Sequence, residues 1–233
     1  MKHMILLSSL ALCGVLSITV TATAESGTKS PAAEEVDALP CAEHAVSEPI
    51  ELFNGEDLDN WKLFIPDENV DPATVWHIED GVVHCKGTPR GYMRTKKKYS
   101  NYKLTVEWRW PEDSGNSGVL LHIQDKDEVW PKSIEAQMQS LHAGDFWVIG
   151  GTSFDQHTSA VDRRVPKMED STEKELGKWN TYSIHCHGNK IKVYVNGVLQ
   201  NIATNATVCS GYIGLQSEGT PVEFRTVRVE PLN

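Results

Sequence analysis

The segment Ser133 to Gly151 reads Ser-Ile-Glu-Ala-Gln-Met-Gln-Ser-Leu-His-Ala-Gly-Asp-Phe-Trp-Val-Ile-Gly-Gly and concentrates groups able to do chemistry. Taken as a strand, Ile134 to Gln139 alternates with period 2. Glu135, Gln137 and Gln139 then share one face, and Ile134, Ala136 and Met138 the other. The apolar face builds core, while the opposite face is a row of hydrogen-bonding groups around a single carboxylate. His142 and Asp145 follow in a Gly-containing loop, and Trp147 comes next. Amides and carboxylates grip hydroxyls in pairs, and a flat aromatic ring covers the C–H side of a sugar, so this face suits a carbohydrate. Trp147, Trp130 and Tyr92 are candidates for the aromatic contact, and Gln137, Gln139, Asn116 and Arg109 for the hydroxyls.

Two further alternating runs supply partners. Along Thr105 to Trp110, Glu107 and Arg109 share a face opposite Val106, Trp108 and Trp110; in the next run Asn116, Gly118, Leu120 and His122 oppose Val119 and Leu121. If these runs join Ile134 to Gln139 in one sheet, Glu107, Arg109, His122, Glu135 and Gln137 converge on its concave side, with His142, Asp145 and Trp147 at the rim. Gln216 and Glu218, two apart in a late alternating run, fall at the edge of the same concavity. The alternative is an exposed polar face on which Glu107 and Arg109 form a cross-strand ion pair.

These groups need a β framework, and the chain supplies one. Short β-type runs recur at Val75 to Ile78, Gly81 to Cys85, Tyr102 to Trp110, Gly118 to Gln124, Ile134 to Gln139, Asn180 to Cys186, Lys190 to Val195, Gly211 to Gln216 and Val222 to Val229, with no long stripe of helical period. This pattern predicts an all-β antiparallel sandwich or jelly roll. Asp80-Gly81 and Asn196-Gly197 mark tight hairpins, since both central residues of such a turn must accept positive φ. Trp61, Trp76, Trp108 and Trp179 are assigned to the core. Asp155 to Lys178 carries many charges and few apolar residues and reads as a long surface excursion, a kind of segment that often serves function.

The N-terminus reads as a secretory signal over residues 1–24: Lys2 and His3 precede an apolar run, and Ala22-Thr23-Ala24 is a small-x-small cleavage site. Ser8, Ser9, Ser17 and Thr19 interrupt the run and argue against a membrane span. Leu12 is too large for the position before a lipid-modified Cys13. Residues 25–49 are rich in Ala, Glu, Ser and Pro and read as a flexible leader, with the folded domain over 50–233. The expected location is periplasmic or extracellular. The formal charge is -10, and loss of Lys2 makes the mature chain more acidic still. A surface of that sign repels polyphosphate, which excludes nucleic acid as a partner. Cys41, Cys85, Cys186 and Cys209 remain after cleavage and match no zinc spacing. In an exported chain they suggest disulfides of more than one allowed connectivity, with Cys186–Cys209 favoured and Cys41 left to close onto Cys85.

Leu52-Phe53-Asn54-Gly55-Glu56-Asp57-Leu58-Asp59-Asn60-Trp61, Asn116-Ser117-Gly118-Val119, Glu135-Ala136-Gln137, Trp179-Asn180, Val195-Asn196-Gly197, Ile213-Gly214-Leu215-Gln216 and Glu223-Phe224-Arg225 occur in that order from about Ile50 to Pro231. As an ordered set they resemble the 3-keto-disaccharide hydrolase domain family, long catalogued as a domain of unknown function. The resemblance implies a concanavalin A-like jelly-roll sandwich of two antiparallel sheets, common among exported bacterial proteins. Two positions depart from the family pattern: Ser140 stands where many members carry Asp, and Thr226 where Asn commonly follows the Arg of the last strand. Asp145 or His142 is then the candidate for any role of the missing Asp.

Glycosidases on such a sandwich usually present Glu-x-Asp-x-Glu on one strand, whereas this chain presents Glu135, Gln137 and Gln139. A retaining double displacement therefore lacks its second carboxylate on this strand. A 3-keto sugar asks for less, because the ketone acidifies the C2 proton. One base can start an elimination of the C1 substituent, with an electrophile to hold the enolate. Glu135 as base with Arg109 or His122 as electrophile meets that minimum. Glu107, Asn116, Gln137, Gln139, His142, Asp145, Trp147 and Gln216 are the substrate-binding candidates. A divalent metal held by Glu135, His122 and His142 would do the electrophile's work, although no tight motif marks one. A non-catalytic carbohydrate-binding module and a cell-surface scaffold are the competing readings.

Overall fold

The computed structural model describes residues 41, 43–124 and 126–232. They form fifteen strands, numbered here in chain order, and a single three-residue 3-10 turn at Pro72–Thr74. The first sheet runs β13 (Val198–Ala203), β12 (Lys190–Val195), β11 (Asn180–His187), β6 (Tyr102–Arg109), β15 (Val222–Pro231), β4 (Val82–Cys85), β3 (Trp76–Glu79), with β1 (Ile50–Phe53) also pairing with β15. The second runs β10 (Arg164–Val165), β9 (Phe146–Ile149), β8 (Ser133–Gln137), β7 (Gly118–Ile123), β14 (Tyr212–Ser217), β5 (Gly91–Thr95), β2 (Trp61–Phe64). Every strand pair is antiparallel. No helix among the described residues is long and apolar enough to cross a membrane.

The alternation anticipated for β6 and β8 sets the packing. Leu104, Val106 and Trp108 from the first sheet meet Ile134, Ala136, Val119 and Leu121 from the second in one core cluster. Both hairpins form as their turn chemistry requires: Asp80 and Gly81 have φ of 49° and 73°, Asn196 and Gly197 of 49° and 86°. Trp61, Trp76 and Trp108 are buried. Trp179, expected in the core, is instead only half-buried and lies against two guanidinium groups, Arg109 at 4.7 Å and Arg225 at 4.5 Å from its ring centre. It sits just before β11, where no strand parity turns it inward.

The cysteine pairing also differs from expectation. Cys41 bonds to Cys209, while Cys85 and Cys186 are free and buried. Cys85 and Cys186 belong to strands of the first sheet and point into its core, so neither can reach a loop cysteine. The pairing draws the end of the expected leader onto the domain. Asn101 Nδ2 donates to the Cys41 carbonyl at 2.8 Å, Ser100 N to the His44 carbonyl at 2.8 Å and Val46 N to the Ser100 carbonyl at 3.1 Å. The packed body therefore begins before Ile50. The signal segment and the leader up to Pro40 lie outside the described residues.

Peptide mapping without reduction should recover Cys41 linked to Cys209 and find Cys85 and Cys186 alkylated only after unfolding. Replacing Cys41 by Ser should lower stability by about 2–4 kcal/mol, the usual worth of a long-range disulfide, as read by denaturant titration.

Candidate functional site

A cleft of about 250 Å3 opens on the outer face of the second sheet, lined by Asn116, Trp130, Glu135, Gln137, Gln139, Trp147, Ile149, Arg163 and Glu218. Strand β8 is its floor. Glu135 lies opposite Leu120 of β7 and Trp147 of β9, and Gln137 lies opposite Gly118. Gly118 is the enabling residue, because any Cβ there would collide with the Glu135 carboxylate and sit 2.7 Å from Gln216 Oε1. The end of β8 is fixed from behind by Tyr182 of β11. Its hydroxyl crosses the core to donate to the Gln137 carbonyl and accepts from Gly144 N at 2.6 Å.

Glu135 is 4% exposed. Burial pushes its carboxyl up to about 8, the charge of Glu218 adds to the shift, and Arg163 and the nearby Gln216 amide oppose it. Burial raises Glu218 as well. Glu135 Oε1, both amide atoms of Gln216, Asn116 Oδ1 and Trp147 Nε1 are buried with no well-aligned hydrogen-bond partner among the described residues. Other such atoms are scattered through the sandwich, but these gather around one cleft, where a ligand rich in hydroxyls can pair with them. Gln137 spends its amide oxygen on Met138 N and Gln139 N, at 2.8 and 2.9 Å, which leaves its amide nitrogen as the donor for the cleft.

Arg163 is the cation of this cleft, 5.5 Å from the Trp147 ring centre. Sequence reasoning did not single it out. It arrives through the charged excursion after Asp155, whose β10 pairs with β9 and sets Arg164 opposite Trp147. The signal was present as Arg163-Arg164 within that excursion, but alternation along one strand cannot report which neighbour a loop will reach.

The expected convergence of Glu107, Arg109 and His122 with Glu135 does not occur. Strand β6 belongs to the first sheet, so Glu107 and Arg109 face outward on the opposite side of the sandwich. They do not pair with each other either. Arg225 holds Glu107 at 2.9 and 3.0 Å and keeps its carboxyl below the usual range, while Arg109 pairs with Glu223. His122 is turned inward by a bulge: two residues of β7 oppose one of β14, and His122 takes a φ of 57°. It ends fully buried, edge-on to Tyr102 and 3.3 Å from the Val208 carbonyl, with burial lowering its imidazole to about 4. The ligand set Glu135, His122 and His142 is therefore not assembled, and no other cluster of three or more such groups suited to a metal is found among the described residues.

His142 and Asp145 lie beside this cleft rather than on its rim. Arg164 donates to Asp145 Oδ2 at 2.7 Å and lies 2.9 Å from His142 Nδ1, and the three border a separate, open depression. Tyr92 is buried, with its hydroxyl on Asp127 at 2.9 Å. The same Asp127 is gripped by Arg94 and Lys62 and anchors the loop that presents Trp130. Another cavity, of about 390 Å3, opens on the first sheet beside His77, His84 and Glu223. Of its acids, Glu223 is already committed, bridging Arg109 and His84, and Glu112 and Asp113 are exposed to solvent at its edge. The second-sheet cleft is the one whose floor holds a buried carboxyl with an open oxygen.

Because the Glu135 carboxyl is higher folded than unfolded, the folded chain holds its proton more tightly. That stability is complete below its ordinary value near 4.5 and is lost as pH rises through about 8. Glu135→Gln should therefore match the wild type in thermal midpoint at pH 4 and exceed it progressively up to pH 8, with no further gain above. Melting curves across that range check it.

No curated protein matches this sequence significantly. Among solved structures, a candidate glycosyl hydrolase from Parabacteroides distasonis superposes with a TM-score of 0.60 at 19% identity, over 80% of this chain and 94% of that one. The carbohydrate-binding module CBM66 of Bacillus subtilis gives 0.54 at 15%, over 73% and 95%. The β-glucanase of Bacillus licheniformis gives 0.52 at 15%, over 78% and 97%. At such identities these likenesses establish the fold, a concanavalin A-like jelly-roll sandwich. Residues 48–230 match the 3-keto-alpha-glucoside-1,2-lyase-like domain, and the chain belongs to that family.

Proposed function

We propose that this chain cleaves 3-keto-glucosides by taking the C2 proton and eliminating the C1 oxygen substituent. The observation that carries the reading is the Glu135 carboxylate, buried on the cleft floor with an unpartnered oxygen and a raised pKa. A carboxylate with a pKa of about 8 is a far stronger base than an ordinary one, and so is better matched to a weakly acidic C–H. Arg163 takes the electrophile's part proposed above for Arg109 or His122, facing the oxygen that gains charge as the enolate forms. Asn116, Gln137, Gln139 and Gln216 supply hydroxyl contacts, and Trp147 and Trp130 cover ring faces. A cleft of about 250 Å3 falls below the roughly 300–1,000 Å3 of drug-sized sites, which suits one ring rather than a long glycan.

Export belongs to the same proposal. The N-terminal signal pattern and the Cys41–Cys209 bond together favour an oxidising compartment. A non-catalytic carbohydrate-binding module is the competing reading, favoured by the preponderance of amides around the cleft.

Incubation of the purified protein with an aryl 3-keto-glucoside in deuterated buffer separates the two. Exchange at C2 and release of the aglycone are expected, with kcat/KM rising with pH toward a plateau above about 8 as Glu135 ionises. Glu135→Gln should abolish both exchange and release while keeping affinity within about tenfold. Arg163→Met should lower kcat by roughly 10²-fold, in the range of a lost charge-stabilising donor. Arg109→Met, on the opposite face, should cost stability and leave turnover per folded molecule unchanged. Saturable sugar binding with neither exchange nor release would establish the binding module instead.

A further inference from the structure

We infer that Glu218 is a second catalytic residue of this cleft, the general acid that protonates the departing C1 oxygen, an inference that rests on the elimination proposed above. Glu218 lines the same cavity as Glu135. It stands two residues beyond Gln216, whose amide oxygen lies with the Glu135 carboxylate over Gly118. Glu135 is sealed on the floor and Glu218 is half-buried, nearer the opening. A sugar ring seated on the floor must send its aglycone out through that opening, because the cleft has no room for both. The leaving oxygen therefore passes Glu218, while C2 faces Glu135.

The segment that carries Glu218 is fixed. Gly219 N donates to the Gly87 carbonyl at 2.5 Å, and Gly87 packs so closely on Thr220 that any Cβ there would strike the Thr220 backbone. No hydrogen bond or close ion pair among the described residues engages the Glu218 carboxyl, which feels the charge of Arg90 from a distance, whereas Glu107 and Glu223 on the other sheet are each bonded to an arginine. Burial raises both cleft carboxyls, and the charge of Glu218 raises Glu135 further. Two such groups favour holding one proton between them, and the productive arrangement is the one in which that proton has passed from Glu135 to Glu218.

The step balances with that single proton. Ionised Glu135 takes the C2 proton and the electron pair moves onto the C3 oxygen. As the C3 carbonyl reforms, a C1–C2 double bond forms and the C1–O1 bond breaks. Glu218 gives its proton to O1, releasing an alcohol and an unsaturated ketone. The pair then carries the proton taken from C2 on Glu135, and one transfer to Glu218 resets it. No oxidant, reductant or further reactant is consumed.

The test compares wild type with Glu218→Gln on two 3-keto-glucosides, one with a nitrophenyl leaving group and one with a sugar alcohol, following C2 exchange and aglycone release. General acid catalysis is worth about 10²–10⁴-fold, and a nitrophenolate leaves without it. Glu218→Gln should therefore lose at least about 10²-fold on the sugar alcohol, lose less than about tenfold on the nitrophenyl substrate, and retain C2 exchange with an unchanged melting temperature. Equal losses on both substrates, or no loss on either, overturn the acid role while the base at Glu135 stands. A wild type that neither exchanges nor cleaves overturns the elimination itself, and the role of Glu218 with it.

Discussion

A carboxylate held out of water with no protein partner is costly, and the architecture of the second sheet is organised around keeping Glu135 in that condition. Its neighbours on β8, Ile134 and Ala136, are locked in the core, so the strand cannot slip by one residue without burying Glu135 in the sandwich and exposing both. Gly118 leaves the space that the carboxylate occupies. Tyr182 reaches across from the first sheet to hold the end of β8. A looser strand would let the group turn to solvent, its pKa would fall to the ordinary range, and its basicity would go with it.

The two outer faces of the sandwich show what distinguishes a site from a polar surface. On the first sheet the acids Glu107 and Glu223 are each matched to an arginine, Thr226 adds a bond to Glu107 at 2.6 Å, and Trp179 lies against both guanidinium groups. That network is closed, and its charges stabilise one another. On the second sheet the same residue types meet around a cleft with their polar atoms open. The difference is one of satisfaction rather than composition, which is why the larger cavity beside His84 and Glu223 is a weaker candidate for chemistry.

Much of the cleft is legible in sequence because one strand and its loop supply it. Period 2 along Ile134 to Gln139 is enough to place Glu135, Gln137 and Gln139 together, and Trp147 follows as the cross-strand neighbour of Glu135. His122 shows where parity fails: a single extra residue at a left-handed φ reverses the side of the sheet on which the ring emerges. Arg109 shows another limit: alternation along β6 gives its face but not the sheet to which β6 belongs. Arg163 lay in a segment with no periodicity, and only its docking beside β9 brings it to Trp147.

The sequence by itself determined the local matters: the β content, the inward and outward faces of β6 and β8, and the Asp-Gly and Asn-Gly hairpins. Each depends on sterics and burial acting over a few residues. Tertiary structure alone decided which strands share a sheet, which cysteine Cys209 meets, where Trp179 goes, and which cation faces Glu135. Those outcomes depend on pairings between segments far apart in the chain, where many registers satisfy the same alternation. The choice among them is made by the total burial of the folded sandwich rather than by any one segment.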